Sequence, residues 1–209
     1  MPFPGLIKML CGSYSFRCVF RSPAQLPPYK GSTFRGAFGW ALKSVVCALR
    51  RQRCDTCLLR SNCLYPLVFE TRLAVASTPD SRVVPPPHPF VIEPTGDVQT
   101  HYQKGDRFDF NLLLFGSVNV QLPYFIYAFE KMGEIGIGKA INGGRGLFEL
   151  AKVKSSNRIL YLAKEGRLRP SPACRELTLK TEGPPAERAK CLLYPNPLFR
   201  CLAGQGGCG

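Results

Sequence analysis

Residues 136–146 read GIGKAINGGRG, with Gly136, Gly138, Gly143, Gly144 and Gly146 set around Lys139 and Arg145. Glycine lets main-chain N–H groups approach an anion closely, and neighbouring cations add charge, so the composition suits a phosphate. A P-loop requires G-x-x-x-x-G-K-[ST]; Gly138 and Gly143 have the spacing, but Gly144 and Arg145 occupy the Lys and Ser/Thr positions. A dinucleotide fingerprint requires G-x-G-x-x-G, and Ile141 replaces the third glycine. Neither nucleotide motif fits. The loop also leads from a helical pattern into LFELAKV, a strand-like run, which reverses the order both motifs need.

A second constellation is CALRRQRCDTCLLRSNC, which places Cys47, Cys54, Cys57 and Cys63 at C-x6-C-x2-C-x5-C spacing. The C-x2-C pair is a knuckle whose thiolates reach one tetrahedral ion. Four thiolates suit structural Zn2+, and the same four suit an iron-sulfur cluster. Cys47 falls on the apolar end of the preceding helix, where an ordinary buried thiol is the competing reading. Arg50, Arg51, Arg53 and Arg60 surround the segment and would offset thiolate charge. Ten cysteines would suggest disulfides in a secreted chain, but MPFPGLIKMLCGSY has too short an apolar run for a secretory signal. The expected location is therefore cytoplasmic. The uncharged stretch 111–129 is broken by Gly116, Asn119, Gln121 and Pro123, so no membrane span is expected.

Elements must position these groups. GSYSFRCVF alternates Tyr14, Phe16, Cys18 and Phe20 against polar neighbours, a half-buried strand. From Ser32, a candidate N-cap, Phe34, Phe38, Ala41, Leu42 and Val45 recur at helical spacing. Arg35, Lys43 and Arg50 fall together on that helix and form a candidate anion-binding face. PLVFETR reads as a short strand, VPPPHPFVIEP as a stiff lead-in to another, and DRFDFNLLLFG as a strong third. LPYFIYAFEKMGEIG is a helix, with Pro123 near its first position and Gly133 near its end. The order strand, helix, strands, helix, strand is an α+β, ferredoxin-like βαββαβ arrangement of the RNA-recognition kind.

The 209 residues carry 28 Lys+Arg against 14 Asp+Glu, a net charge of +14, which points to a polyanionic partner. Residues 30–60 concentrate it: Lys30, Arg35, Lys43, Arg50, Arg51, Arg53 and Arg60 face one Asp55. A zinc-containing DNA-binding regulator would share the charge and the knuckle. The chain has no recognisable helix-turn-helix and no two-His finger.

YKGSTFRGAFGWALKSVVC, CDTCLLRSNCLYPLVFE, PHPFVIEP, GDRFDFNLLLFG, LPYFIYAFEKMGEIGIG and the glycine loop, in that order over residues 12–153, resemble the CRISPR pre-crRNA-processing endoribonucleases of the RAMP superfamily (Cas six). The resemblance implies two tandem ferredoxin-like domains, an RNA backbone as the phosphate of the glycine loop, and CRISPR repeat RNA as partner beside other Cas proteins. It further implies cleavage with no catalytic metal: the ribose 2′-OH attacks the adjacent phosphate. Such chemistry needs a base, a donor for the leaving oxygen and cations on the phosphorane. The family's histidine beside the first helix has no counterpart, since the two histidines are His88 and His101. Tyr29, Lys30 and His88 are the candidate catalytic residues in its place. The alternative function is a non-catalytic RNA-binding RAMP subunit of a CRISPR effector complex.

Residues 1–155 are expected to form the first domain. RILYLAK (158–164) and RELTLKT (175–181) would open a second sheet in a domain spanning 156–209. The pattern decays after Thr181, so that second domain is expected to be truncated or atypical.

Overall fold

A computed structural model describes residues 6–75, 86–141, 143–169 and 174–180. The chain opens with a long strand β1 (Leu6–Phe20) and a short β2 (Ala24–Gln25), then helix α1 (Gly31–Val46) and two single-turn helices α2 (Leu64–Val68) and α3 (Thr71–Val75). Strands β3 (Phe90–Pro94), β4 (His101–Tyr102) and β5 (Arg107–Phe115) lead through a 3-10 turn to α4 (Leu122–Ile135). A hairpin of β6 (Ile137–Ile141) and β7 (Gly144–Gly146) precedes β8 (Phe148–Ser155), β9 (Arg158–Leu162), β10 (Arg167–Leu168) and β11 (Cys174–Lys180).

The main sheet is antiparallel, in the order β10-β9-β8-β1-β5-β3. Helix α1 joins β1 to β3 and α4 joins β5 to β8, so each crossover skips a strand, a split β-α-β connectivity. Both helices cover one face, and their phenyl rings meet those of the central strands. Phe38 lies 4.4 Å from Phe129, and Phe129 lies 4.8 Å from both Phe16 and Phe110. The alternation of β1 and the 34/38/41/42 spacing of α1 aim these residues inward, as their complete burial shows.

Three elements differ in type or extent from their sequence reading. Residues 66–72 are not a strand: Pro66 sits in the first turn of α2, where no N–H is required, and Leu64, Leu67 and Val68 turn one buried side inward. Ser32 is not the N-cap of α1; Lys30 holds that position, with no side-chain cap. Helix α4 runs past Gly133 and stops at Gly136, whose φ of 85° ends the helix. Gly133 instead admits the carbonyl of Phe148, which would lie 2.2 Å from a Cβ there.

The segments expected to open a second sheet join the first. β9 folds back on β8 through a turn in which Ser156 adopts φ 50°, burying Leu160, and β11 pairs with the first half of β1. Cys11 and Gly12 pair with β5 and β11 at once, which puts β11 on the β8 side of β1. The edge left open where β8 ends is thereby covered. Residues 181–209, assigned to the rest of the second domain, lie outside the described residues.

The glycine-rich segment is a hairpin, not an open loop. Its β6 docks on β2, with Gln25 opposite Lys139, completing a small sheet β4-β2-β6-β7. At Gly138, with φ 85°, a Cβ would stand 2.2 Å from the carbonyl oxygen of Gln25. Gly143, at the hairpin tip, has a similar φ but open space around it. Gly138→Ala should therefore lower the unfolding free energy by about 2–3 kcal/mol and Gly143→Ala by about 1 kcal/mol, from backbone strain alone in the second case. Urea titrations of the two variants measure the gap; equal losses would contradict the docking of β6 on β2.

Candidate nucleic-acid interface

A cleft of about 960 Å³ separates the first two and a half turns of α1 from the glycine hairpin. Ser32, Thr33, Gly36 and Trp40 line one wall, and Gly136, Gly138, Lys139 and Arg145 line the other. Lys139 and Arg145 are exposed, and among the described residues neither forms an ion pair. Among the described residues no carboxylate lines the cleft, and the first turn of α1 holds no acidic residue. The N-terminal end of a helix carries partial positive charge, so both walls favour an anion. Gly146 does not face this space: it packs on Ala24, where a Cβ would meet another Cβ at 2.2 Å. Gly143 and Gly144 form the exposed hairpin tip.

Arg35 and Lys43 lie on a different flank of α1, and Arg50 is not on the helix as its spacing predicted but in the turn beyond, because α1 ends at Val46 with Cys47 extended. Arg35 is anchored, its guanidinium 3.0 Å from His88 Nε2 and 5.5 Å from the Phe69 ring. Lys43 sits 5.1 Å from the Tyr65 ring, and Arg50 donates to the Ser44 carbonyl at 3.3 Å. Lys43 and Arg50 line a second hollow of about 490 Å³. Trp40 lines both spaces and so links the two sets of cations. It was legible as a candidate in the sequence, because position 40 falls about 200° around the helix from buried Phe38, on the polar side. A further cationic set occupies the sheet face away from the helices: Arg17, Arg107, Lys152 and Lys154. Lys154 holds Lys152 below the ordinary lysine range.

The three candidate catalytic residues occupy separate environments, and among the described residues no hydrogen bond, ion pair or ring contact joins them. Tyr29 is 70% exposed, its hydroxyl close to Gly31. Lys30 is only 3% exposed, and its ammonium donates to the Asp97 carbonyl at 2.5 Å, with an Asp97 carboxylate oxygen at 3.9 Å. His88 bonds Val68 O through Nδ1 at 2.9 Å and Arg35 through Nε2 at 3.0 Å. A guanidinium only donates, so Nε2 accepts and Nδ1 carries the proton. The one ring lone pair available to a general base is thus already engaged.

Lys30, Asp97 and Tyr102 form a unit fastening the start of α1 to the loop before β4. Tyr102 donates to Asp97 Oδ2 at 2.7 Å, and the Lys30 ammonium lies 5.7 Å from the Tyr102 ring. The Tyr102 hydroxyl, the Gln99 amide and the Lys30 charge hold the Asp97 carboxyl below the usual carboxylate range. A depressed folded-state pKa means that this contribution is complete above the unfolded value near pH 4. It disappears as pH falls through the folded value. Lys30→Met should lower stability by about 2 kcal/mol at neutral pH, because the Asp97 carbonyl loses a charged donor. It should also lessen the acid sensitivity of unfolding below about pH 4. Thermal melts at pH 7 and pH 3 test both; an unchanged melt would return Lys30 to the list of free functional groups.

Cys47, Cys54, Cys57 and Cys63 are all half-buried. Burial pushes the Cys63 thiol up, and Cys47, Cys54 and Cys57 push it further. Cys54 is also raised by burial, with Lys43 opposing. The four sulfurs thus sit within electrostatic reach of one another, with the chemistry of a zinc or iron-sulfur donor set. Among the described residues, however, no group of three His, Cys, Asp or Glu is arranged around a common centre for an ion.

A family model for the AF_1859_N N-terminal domain matches residues 7–173, a span that takes in the cleft, the cysteine segment and every strand of the sheet except β11. The chain belongs to this family. An uncharacterized protein of Archaeoglobus fulgidus is 27% identical to the AF_1859_N chain over 112 residues, covering 54% of this chain and 37% of that protein. The match therefore spans little more than a third of the relative's length. Among solved structures, one from a Csm3-Csm4 subcomplex of the type III-A CRISPR-Cas interference complex aligns over 85% of this chain and 92% of that one. Its TM-score is 0.44 at 13% identity. No helix among the described residues of this AF_1859_N member is long and apolar enough to cross a membrane.

Proposed function

We propose that the chain is an RNA-binding RAMP subunit of a CRISPR system, working in the cytoplasm beside other Cas proteins, and that it holds RNA in the cleft between α1 and the glycine hairpin. The observation that carries the binding is the meeting of Lys139 and Arg145 with the start of α1 in a space that, among the described residues, no carboxylate lines. The CRISPR assignment rests on the sequence resemblance over residues 12–153, whose helix motif and glycine motif supply the two walls of the cleft. In that arrangement the cations and the helix end take backbone phosphates, while Ser32 and Thr33 offer hydroxyls to ribose or phosphate oxygens.

Of the two roles the resemblance implies, binding without cleavage is the better supported. A ribonuclease using 2′-OH attack needs a free base and a free donor near one phosphate. Here Lys30 is spent on Asp97, and the His88 lone pair is engaged by Arg35. Metal-independent cleavage of CRISPR repeat RNA, with His88 released on binding and the exposed Tyr29 taking part, is the second reading.

Lys139→Ala with Arg145→Ala should weaken binding of repeat RNA by roughly tenfold or more. It should also reduce the slope of log affinity against log salt by about 1.4, the value for losing two contacts to a single strand. Fluorescence anisotropy of end-labelled RNA at several salt concentrations gives both quantities, and an unaltered slope would remove the hairpin from the interface. The same RNA incubated in EDTA, beside a copy with a 2′-deoxy sugar at the candidate position, separates the roles. Cleavage of the first alone would establish the endoribonuclease.

The cysteine segment completes the proposal as a structural clamp below α1, its four thiolates holding Zn2+ or an iron-sulfur cluster. Protein purified without oxygen should carry zinc or iron by elemental analysis. Cys54→Ser with Cys57→Ser should lose the metal and fold poorly. Neither element in the parent protein would end the assignment.

A further inference from the structure

The chain has a single tryptophan, and it is 80% exposed. Trp40 is the most exposed large apolar side chain among the described residues. An indole left in water forgoes the burial that usually places this residue in a core or an interface. Its surroundings are cationic. Lys139 and Arg145 lie across the cleft on one side, Lys43 and Arg50 lie in the hollow on the other, and among the described residues no carboxylate lines either space.

The helix surface beside the ring is bare. Helical side chains lean toward the N-terminus, so Trp40 leans over the turn containing Gly36. A Cβ at Gly36 would meet no atom within 4 Å, and Gly36 itself lines the cleft. A flat aromatic surface beside a glycine, with cations on both sides, offers a nucleotide a face to stack on and charge for its phosphates. A base within a duplex already has both faces stacked, whereas an unpaired base has a face to offer.

We propose that Trp40 is a stacking platform for an unpaired nucleobase of single-stranded RNA, with the strand's phosphates passing from Lys139 and Arg145 to Lys43 and Arg50. This rests on the RNA-binding reading above and adds what that reading lacks: a preference for unpaired strand and a contact to a base. Stacking of this kind tolerates every base, so the subsite selects strandedness and not sequence.

The lone tryptophan makes the test direct, because all indole emission comes from Trp40. Single-stranded RNA of about ten nucleotides and a blunt duplex of the same length are titrated into the intact protein. Anisotropy of labelled RNA reads affinity, and intrinsic emission reads stacking. The single strand should quench the emission in step with binding, and the duplex should leave it unquenched. Trp40→Ala should weaken single-strand binding roughly 5- to 150-fold with little change for the duplex, and Trp40→Phe should recover most of the loss. Gly36→Leu keeps the fluorophore and fills the space beside it, and should abolish the quenching. Single-strand binding with unquenched emission and a neutral Trp40→Ala would overturn the stacking subsite while leaving RNA binding at the cleft intact. It would assign the exposed ring to a protein interface. No anisotropy change with either RNA would overturn both proposals.

Discussion

The architecture depends on a knot of phenyl rings between the two long helices and the two central strands. Phe34 and Phe38 of α1, Phe125 and Phe129 of α4, Phe16 of β1 and Phe110 of β5 contact one another at centroid separations from 4.4 to 5.5 Å along the chain of nearest rings. Each ring removes a large apolar area from water, and offset or tilted pairing adds to that burial. The knot also sets geometry. With Phe34 and Phe38 pinned inward, the helical period turns Ser32, Thr33, Gly36 and Trp40 outward along one wall of the cleft.

The opposite wall is held by a different device. The hairpin that follows α4 cannot drift from α1, because β6 pairs with β2 and β2 leads directly into α1. Gly138 permits that approach, and the Lys30–Asp97–Tyr102 unit secures the same corner from below. The cations of the hairpin wall and the helix end opposite them are therefore presented by a braced frame. Polar groups that looked available for chemistry, Lys30 above all, are part of the bracing.

The cysteine segment and the anchored Arg35–His88 pair belong to the far side of α1. Arg35 lies over Phe69, and His88 reaches the carbonyl of Val68 at the end of α2. That side of the helix is stitched to the short helices after the knuckle, while the Trp40 side is left open. The asymmetry separates a braced flank from an open flank on one helix.

Much of this was legible in the residues themselves. Alternation in 14–20 and 108–114 and the 34/38/41/42 spacing determine strands, a helix and their inward faces, because period alone decides which side chains share a side. The excess of cations pointed to a polyanionic partner, since charge adds up whatever the fold. Tertiary structure decided the rest. Residues 66–72 became helices because Leu64, Leu67 and Val68 found a common surface to bury against. The glycine segment became a hairpin because β2 offered it an edge. The segments at 158–162 and 174–180 joined the first sheet because β8 and β1 had open edges to be paired. Whether Lys30, His88 or Lys139 is free for a ligand depends on partners distant in the chain: Asp97 for Lys30, Arg35 for His88, and for Lys139 no carboxylate among the described residues. Such pairings arise only when the chain has closed on itself, so residue type and spacing could nominate these groups but not choose among them.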